Sequence, residues 1–224
     1  MRLLDKLLDV VAPYDCVLCQ REGSLLCAWC WHEAFIPIPS RCYHCFSLTD
    51  YFAVCSDCRA QTPVRQVWIA TPYKAAAKDI VRGMKFEQQR QAALLIARKL
   101  HEVMPYFTDD IVMTHIPTAT RRVRERGFDH SKHIARELAQ LHGVDYIPVL
   151  ARRNQLRQVG TSKERRRKQA QGAFRTINER FIVKKHIILV DDVITTGASM
   201  EEAAYTLKRS GARRVDAAIF AQTT

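Results

Sequence analysis

No stretch of this 224-residue sequence is apolar for long enough to cross a membrane. The first eleven residues carry leucines at helical spacing, but Asp5, Lys6 and Asp9 interrupt them, so we expect neither a signal-peptide core nor a span there. The segment predicts an amphipathic helix that packs on its own protein, and a helix lying on a membrane surface is the alternative. We therefore expect a cytoplasmic protein.

Acidic residues are scarce beside basic ones. The chain has 23 Asp and Glu against 35 Lys and Arg, a formal net charge of +12, which favours polyanionic partners such as nucleic acid or phosphorylated ligands. Hydrophobic residues make up 47% of the chain and charged residues 26%, which are ordinary values for a globular protein and argue against disorder. The length allows one standard domain with its own core plus a small appendage.

Cysteine is absent after residue 58 and dense before it. The eight cysteines form four C-x-x-C pairs, namely Cys16 and Cys19, Cys27 and Cys30, Cys42 and Cys45, and Cys55 and Cys58. In a cytosolic chain such pairs indicate metal sites rather than disulfides, because two pairs supply the four thiolates of a tetrahedral zinc ion. We expect two structural zinc ions, and an iron–sulfur cluster or redox disulfides are the alternatives. Pairing in sequence order is favoured over an interleaved arrangement, because short loops close at the lowest entropic cost.

A Cys₄ zinc site has no open coordination position and does no chemistry. Its expected role is to order residues 1–62, a segment too short to build a core of its own. His44 lies between two of the cysteines and is expected to be a bystander, since eight thiolates already fill two sites. Trp29, Trp31 and Phe35 are expected to pack on the rest of the protein, with an exposed binding surface as the alternative.

Residues 63–224 predict a second domain in which strands and helices alternate. The expected strands are 64–71, 111–116, 187–190 and 215–221. The expected helices are 74–86, 90–104, 131–141 and 199–209. This alternation predicts an α/β fold with a mostly parallel sheet and helices on both faces.

The most informative stretch is residues 188–199, where an apolar strand leads into Asp191 and Asp192, then a Thr/Gly loop and a helix start. At this end of a parallel strand, a ligand lies against the loop and the N-terminus of the next helix. Backbone N–H groups and loop hydroxyls can hold a phosphate there, with Gly197 permitting close approach. The carboxylates come one step earlier, where a sugar attached to that phosphate would lie. Receiver domains and metal-dependent phosphatases also carry paired Asp after a strand, but they lack the Thr-Thr-Gly-x-Ser tail.

This stretch resembles the phosphoribosyl pyrophosphate signature of type I phosphoribosyltransferases, and the resemblance narrows to the ComF family over nearly the whole chain. Besides the cysteine pairs, the matching segments are Tyr73 to Phe86, Arg121 to Phe128, Gly160 to Arg167 and Gly172 to Phe174. The resemblance implies that Asp191 and Asp192 hold the ribose hydroxyls. It implies that the 5′-phosphate is bound by Thr195, Thr196, Gly197, Ala198 and Ser199, with Mg²⁺ accompanying the ligand. The loop 118–126 would face pyrophosphate, and residues 158–167 would form a mobile loop that closes over the reacting centre.

The resemblance also implies a biological role. Family members act in natural transformation, taking up or using DNA beside a helicase-like competence protein of the ComFA type and recombination-loading proteins. We therefore expect a competence factor that binds phosphoribosyl pyrophosphate and single-stranded DNA. The alternative is an active phosphoribosyltransferase acting on a nucleobase or a DNA-derived acceptor, although no sequence feature identifies a nucleobase pocket.

Two basic segments could serve either transfer chemistry or nucleic-acid binding. Displacement of pyrophosphate builds negative charge that cationic side chains stabilise. The candidates for that role are Arg121, Arg124, Arg126, Lys163 and Arg165. Between residues 152 and 168, eight basic residues and one acidic residue give a net charge of +7 over seventeen positions, more than pyrophosphate needs. Such a run is often only a solvated surface, but the excess argues for contact with DNA or RNA. The candidate nucleic-acid residues are Arg152, Arg153, Arg157, Arg165, Arg166, Arg167 and Lys168.

Overall fold

The computed structural model describes residues 14–86, 91–107, 110–153 and 172–223. The strands are β1 (Val67–Pro72), β2 (Ile111–His115), β3 (Asp145–Tyr146), β4 (Leu150–Arg152), β5 (Phe174–Thr176), β6 (His186–Ile194) and β7 (Arg214–Gln222). The helices are α1 (Ala28–Ala34), α2 (Ser56–Arg59), α3 (Ala75–Phe86), α4 (Gln91–Val103), α5 (Thr120–Arg126), α6 (His130–His142) and α7 (Ala198–Arg209). Short 3₁₀ turns lie at Asp50–Phe52 and Glu179–Phe181.

A parallel sheet of five strands, in the order β1-β7-β6-β2-β3, forms the centre of the protein. The strands β4 and β5 form a separate antiparallel ribbon. The long central strands β6 and β7 are buried along most of their length, as expected for parallel strands covered on both faces. The predicted α/β fold with a mostly parallel sheet is confirmed.

Helices cover both faces of this sheet. On one face α3, α4 and α6 share a core with Trp68 and Phe220. On the other face α7 shares a core with Ile69 and Leu189. Because successive side chains of a strand point to opposite faces, neighbouring residues such as Trp68 and Ile69 enter different cores. The predicted double-sided arrangement is therefore confirmed.

The strand β6 is longer than the sequence predicts. We expected it to end at residue 190, ahead of the carboxylates, whereas it continues to Ile194. Residues 191–194 keep pairing with β7, with Asp191 opposite Ile219 and Ile194 opposite Gln222. The neighbouring strand, which the local sequence does not reveal, is the reason for the extension. The acidic pair Asp191 and Asp192 consequently lies inside a strand rather than in a loop.

The segment 118–126, expected to be a loop, is largely the helix α5. Gly127 ends this helix in the left-handed region, at φ +79°, and its N–H bonds to the carbonyl of Val123. The short strands β3, β4 and β5 were not predicted, because two or three residues carry too little periodicity to be recognised. The strand β1 begins at Val67 instead of residue 64. The two residues before it, Arg65 and Gln66, bond both to β7 and to residues 53 and 54 of the cysteine-rich segment.

Residues 14–62, here called the cysteine segment, contain two copies of one local structure. In each copy a C-x-x-C turn is closed by a backbone hydrogen bond, from Gln20 N to Cys16 O in the first and from Phe46 N to Cys42 O in the second. In each copy a short helix follows, α1 or α2, and a cysteine precedes its first residue. Both copies pack on the sheet domain, because each contributes residues to one of the two hydrophobic cores.

Several predictions fall outside the described residues. They are the amphipathic helix in residues 1–11, the mobile loop 158–167, and the basic residues Arg157, Lys163, Arg165, Arg166, Arg167 and Lys168. Within the described part of the chain, no helix is long and apolar enough to span a bilayer.

Candidate functional site

A cavity of about 1360 Å³ opens where the carboxyl ends of the parallel strands meet. Tyr73 follows β1, Pro117 follows β2, Thr195 follows β6 and Thr223 follows β7, and all four residues line the cavity. The location is the one that open parallel sheets generally use for ligands. The structure brings both halves of the predicted site, the loop 195–199 and the acidic pair, to this cavity.

Residues 195–199, called the phosphate loop below, connect β6 to α7. Gly197 precedes the helix in the left-handed region, at φ +79°, which side chains rarely tolerate. The loop leads into the N-terminus of α7, and the first backbone N–H groups of a helix have no partner within the helix. An anion in the cavity can therefore accept hydrogen bonds from them. Thr195 and Ser199 are exposed and line the cavity with their hydroxyl-bearing side chains. The loop therefore offers the donors that a phosphate requires.

The two carboxyls of the acidic pair lie in different surroundings. Burial, with the neighbouring charge of Asp192, raises the pKa of Asp191 to about 7, although the Ser131 hydroxyl donates to it at 2.8 Å. Asp192 is almost fully buried and forms an ion pair with Lys85. Against the effect of its burial, the positive charge of Lys85 and the nearby His130 hold the pKa of Asp192 below its usual range. One carboxyl is thus firmly ionised, and the other can change its protonation near neutrality.

The same carboxyls could take part in a cation site. Side-chain ligand atoms of His130, Asp191 and Asp192 all lie within 4.8 Å of one another. His130 Nε2 is 3.5 Å from an oxygen of Asp192, and its other ring nitrogen is 3.3 Å from Arg126. Carboxylate oxygens are the ligands that Mg²⁺ prefers, and Mg²⁺ is usually held by one or two of them together with substrate oxygens and water. The acidic pair fits that requirement.

Basic side chains also line the cavity. The helix α5 contributes the predicted residues Arg121, Arg124 and Arg126, together with Arg122. From the strand β4 and the residue after it come Arg152 and Arg153, which were predicted to contact nucleic acid. This part of the predicted nucleic-acid surface therefore adjoins the phosphate loop instead of standing apart from it.

The structure adds site residues to which the sequence had assigned no role. Lys85, His130 and Ser131 contact the acidic pair, and Tyr73 lines the cavity. Lys85 lay within a segment that resembles the ComF family, and this was the one signal available for it. His130 and Ser131 begin the helix α6, and only the packing of that helix against β6 brings them to the carboxyls.

The eight cysteines gather into two groups in sequence order. The first cluster is Cys16, Cys19, Cys27 and Cys30, the second cluster is Cys42, Cys45, Cys55 and Cys58, and within each the sulfurs lie within 4.8 Å of one another. All eight are free thiols, so the arrangement is not that of disulfides. Four sulfurs around a tetrahedral zinc at about 2.3 Å would be about 3.8 Å apart. The distances of 3.8 Å between Cys19 and Cys27 and 3.5 Å between Cys45 and Cys55 are compatible with that geometry.

Local surroundings act differently on the thiols of each cluster. Burial raises the pKa of Cys30 to about 12 and raises that of Cys58 far above its usual range, whereas hydrogen bonds favour the thiolate form at Cys45 and Cys16. The hydroxyl and backbone N–H of Ser47 lower the pKa of Cys45 to about 6. At Cys16, burial acts to raise the pKa. Hydrogen bonds from backbone N–H groups, led by that of Cys19, outweigh it and lower the pKa of Cys16 to about 6. His44 is not remote from the second cluster, since its Nδ1 is 3.6 Å from Cys58 Sγ. Its position suits a hydrogen bond to a ligand sulfur rather than a fifth ligand.

The aromatic residues beside the first cluster divide between the two expected roles. Phe35 is buried and Trp31 is half-buried, and both pack on the sheet domain. Trp29, in contrast, is 77% exposed.

Known proteins that are similar to this chain include phosphoribosyl transferase domains and proteins named for competence or DNA utilization. The family described as phosphoribosyl transferase domain matches residues 123–223. The DNA utilization protein YhgH of Salmonella typhimurium is 30% identical over 172 residues, covering 72% of this chain and 74% of that protein. Competence protein F of Haemophilus influenzae is 25% identical over 221 residues, covering 90% and 94%. A glutamine phosphoribosylpyrophosphate amidotransferase from B. subtilis superposes with a TM-score of 0.42 at 19% identity, over 58% of this chain and 26% of that one.

Proposed function

Since the chain belongs to the ComF family within the type I phosphoribosyltransferase superfamily, we propose that it is a DNA-uptake factor of natural transformation. In this proposal it binds phosphoribosyl pyrophosphate with Mg²⁺ in the site cavity and single-stranded DNA on the adjoining basic surface. The observation that carries the proposal is the convergence of the phosphate loop, the acidic pair and six arginines on one cavity. The relatives named for competence and for DNA utilization support the biological role.

The ligand would lie across the cavity in a defined direction. Its 5′-phosphate accepts hydrogen bonds from the phosphate loop, and its ribose hydroxyls donate to Asp191 and Asp192. Its pyrophosphate points toward α5, where Arg121 and Arg126 supply positive charge. Mg²⁺ would be held by the acidic pair and by oxygens of the ligand, and would neutralise charge on the pyrophosphate. Lys85 keeps Asp192 ionised and ready to accept.

The cysteine clusters would each hold one structural zinc ion. The spacing of the sulfurs supports this assignment. We also propose that the protein works in the cytoplasm beside a helicase-like competence protein. Its basic surface would then receive the entering single strand.

The ligand proposal can be tested by thermal unfolding. Phosphoribosyl pyrophosphate with Mg²⁺ should raise the melting temperature, because a ligand that binds only the folded state stabilises it by mass action. The double variant Asp191→Asn and Asp192→Asn should lose that increase, since amides accept hydrogen bonds and bind cations less well than carboxylates. The matched control is Asp145→Asn, an exposed residue of β3, which should keep the full increase.

An increase that persists in the Asp191/Asp192 double variant would contradict the assignment of the sugar site. Addition of a panel of nucleobases and DNA forms, with measurement of released pyrophosphate, separates binding from catalysis. Release with any one acceptor would establish the transferase alternative.

The DNA proposal can be tested by titration of a labelled single strand across a series of salt concentrations. Arg152→Ala with Arg153→Ala removes two cationic contacts. The log-log salt slope should then lose about 1.4 in magnitude, at about −0.7 per neutralised phosphate. Because these arginines line the site cavity, phosphoribosyl pyrophosphate should also weaken DNA binding.

A second basic groove, of about 610 Å³, provides the matched control. It lies at the amino-terminal ends of β1 and β7, away from the site cavity, and five basic residues line it: Arg59, Arg65, Lys208, Arg213 and Arg214. The variant Arg59→Ala with Arg65→Ala should leave the slope unchanged. If this variant loses affinity and the Arg152/Arg153 variant does not, the DNA surface is the groove and our assignment is wrong.

A further inference from the structure

Tyr43 connects the second cysteine cluster to the phosphate loop. It lies between Cys42 and Cys45 in the sequence, and its side chain is only 4% exposed. Its ring packs directly on Gly197, because a Cβ added at Gly197 would lie 3.0 Å from Tyr43 Cε2. The ring thus lies against the loop, and Tyr43 is not among the residues that line the cavity.

Hydrogen bonds fix Tyr43 to the elements on both sides of the loop. Its hydroxyl donates to Glu201 Oε1 at 2.8 Å, in the first turn of α7, and lies 3.0 Å from the hydroxyl of Thr62. Its carbonyl oxygen accepts from Gln222 Nε2 at 2.9 Å. Gln222 pairs with Ile194, the last residue of β6 before the loop. Tyr43 is therefore tied to the entry and to the exit of the loop.

The Tyr43 side chain and the Glu201 carboxylate are both buried, and the 2.8 Å hydrogen bond joins them. A hydrogen bond between a buried hydroxyl and a carboxylate is among the stronger kinds. Glu201 is buried too, and without this donor its carboxylate would lose a partner.

The first cluster has a different residue at the same place in its turn. Val17 follows Cys16 as Tyr43 follows Cys42, and the two turns are closed by the same backbone hydrogen bonds. Val17 packs on the core of the opposite sheet face, with α3 and α4. A phosphate held by backbone N–H groups needs those groups fixed in direction before it binds. Only the second cluster is built against the loop that carries them.

We propose that Tyr43 is a positioning residue that holds the phosphate loop in its binding geometry, so that phosphate affinity depends on the second cluster and not on the first. The inference rests on the proposed function, since it assumes that the loop binds the 5′-phosphate. It adds a structural requirement to that site. Ligand binding there would need the second cluster to be folded, although that cluster lies more than 100 residues earlier in the sequence.

The test uses two probes that occupy different parts of the cavity. Ribose 5-phosphate engages the phosphate loop, and inorganic pyrophosphate engages α5. Isothermal titration of the full chain with each probe gives two dissociation constants per variant. Tyr43→Val, which introduces the residue of the first cluster, should weaken ribose 5-phosphate about tenfold or more and leave pyrophosphate affinity unchanged. A general loss of folded structure would weaken both probes together, so the ratio of the two constants isolates positioning.

Two further variants complete the design. Tyr43→Phe keeps the ring on Gly197 and loses only the hydroxyl, so it should recover most of the ribose 5-phosphate affinity that Tyr43→Val loses. It also provides the measurement if Tyr43→Val does not fold, since a loss of about threefold confined to ribose 5-phosphate is then expected. Val17→Ala is the matched control in the first cluster and should leave both constants unchanged.

The outcomes separate the inference from the function on which it rests. If the wild-type chain binds neither ribose 5-phosphate nor phosphoribosyl pyrophosphate, the proposed function fails. If the wild-type chain binds both, and Tyr43→Val and Tyr43→Phe bind ribose 5-phosphate as tightly as the wild type, only the role of Tyr43 is overturned. Equal weakening of both probes by Tyr43→Val and Tyr43→Phe would also overturn it.

Discussion

The two cysteine clusters have the same spacing within their pairs and the same local turns, yet they pack on opposite faces of the sheet. The first cluster joins the core of α3, α4 and α6, and the second joins the core of α7. The difference lies in the residues around the thiols rather than in the thiols themselves. A repeated cysteine motif can therefore serve the fold at one copy and the candidate ligand site at the other.

The first cluster is attached to the fold by aromatic residues. Phe35, just after α1, packs edge-to-face on Phe220 of β7 with ring centroids 5.7 Å apart. Trp31 donates its indole N–H to Glu102 at 3.0 Å, and Lys99 lies over the ring of Phe35 at 5.2 Å. None of these residues lines the site cavity. Their contribution is to stability.

The largest difference in ligand affinity between the two clusters is expected when one thiol is removed from each. Cys19 and Cys45 hold the same position in their turns and are both exposed. Cys45→Ser and Cys19→Ser should each reduce the zinc content from about two ions to about one, because three thiolates no longer complete the site. Only Cys45→Ser should weaken phosphoribosyl pyrophosphate, by about a hundredfold, since it releases the turn that holds Tyr43.

Elemental analysis and titration calorimetry measure both effects. Equal loss of ligand affinity in the two variants would contradict the division of roles. Iron in place of zinc would contradict the metal assignment.

A smaller loss of ligand affinity is expected when the contact between Tyr43 and Gly197 is disturbed by a change at Gly197. Gly197→Ala adds a methyl group at φ +79° that presses on Tyr43, so we expect about a tenfold loss of phosphoribosyl pyrophosphate affinity. Gly143→Ala is the control, because Gly143 also has a positive φ, +66°, but has nothing within 4 Å of the added carbon. Both variants should lose about 1 kcal/mol of stability from backbone strain. Unchanged ligand affinity in Gly197→Ala would mean that the loop tolerates displacement.

The smallest effect on ligand binding is expected in the first cluster. Phe35→Ala removes a buried ring and should lower the free energy of unfolding by about 3–5 kcal/mol. The dissociation constant of phosphoribosyl pyrophosphate, measured on folded protein well below the melting temperature, should be unchanged. Chemical denaturation and calorimetry on the same sample provide the two numbers. A parallel loss of affinity would show that the first cluster also supports the site.

The sequence predicted the features that depend on local spacing. The grouping of Cys16 with Cys30 and of Cys42 with Cys58 follows from loop lengths, and the structure confirms it. The phosphate loop and Asp191 line the same cavity because they are close together in the sequence, at the end of β6. Each of these rests on residues close together in the chain.

Features that depend on distant packing could not be predicted. Lys85 and Asp192 are far apart in the sequence and meet only in the folded protein, and the same is true of Tyr43 and Gly197. The strand β6 was expected to end at residue 190, where the apolar run meets the carboxylates, and Asp is indeed uncommon inside strands. Its continued pairing with β7 outweighed that preference.

The position of β7 has a consequence for how the protein forms. This strand, which follows every other described strand in the sequence, lies between β1 and β6, and it carries Phe220 for the first cluster and Gln222 for the second. The bond between Arg41 and Gln222 joins residues 181 positions apart. During synthesis the cysteine segment emerges early, but its contacts with Phe220 and Gln222 form only after β7 has been inserted. Contacts of such long range form slowly, so completion of the ligand site should be the last event of folding.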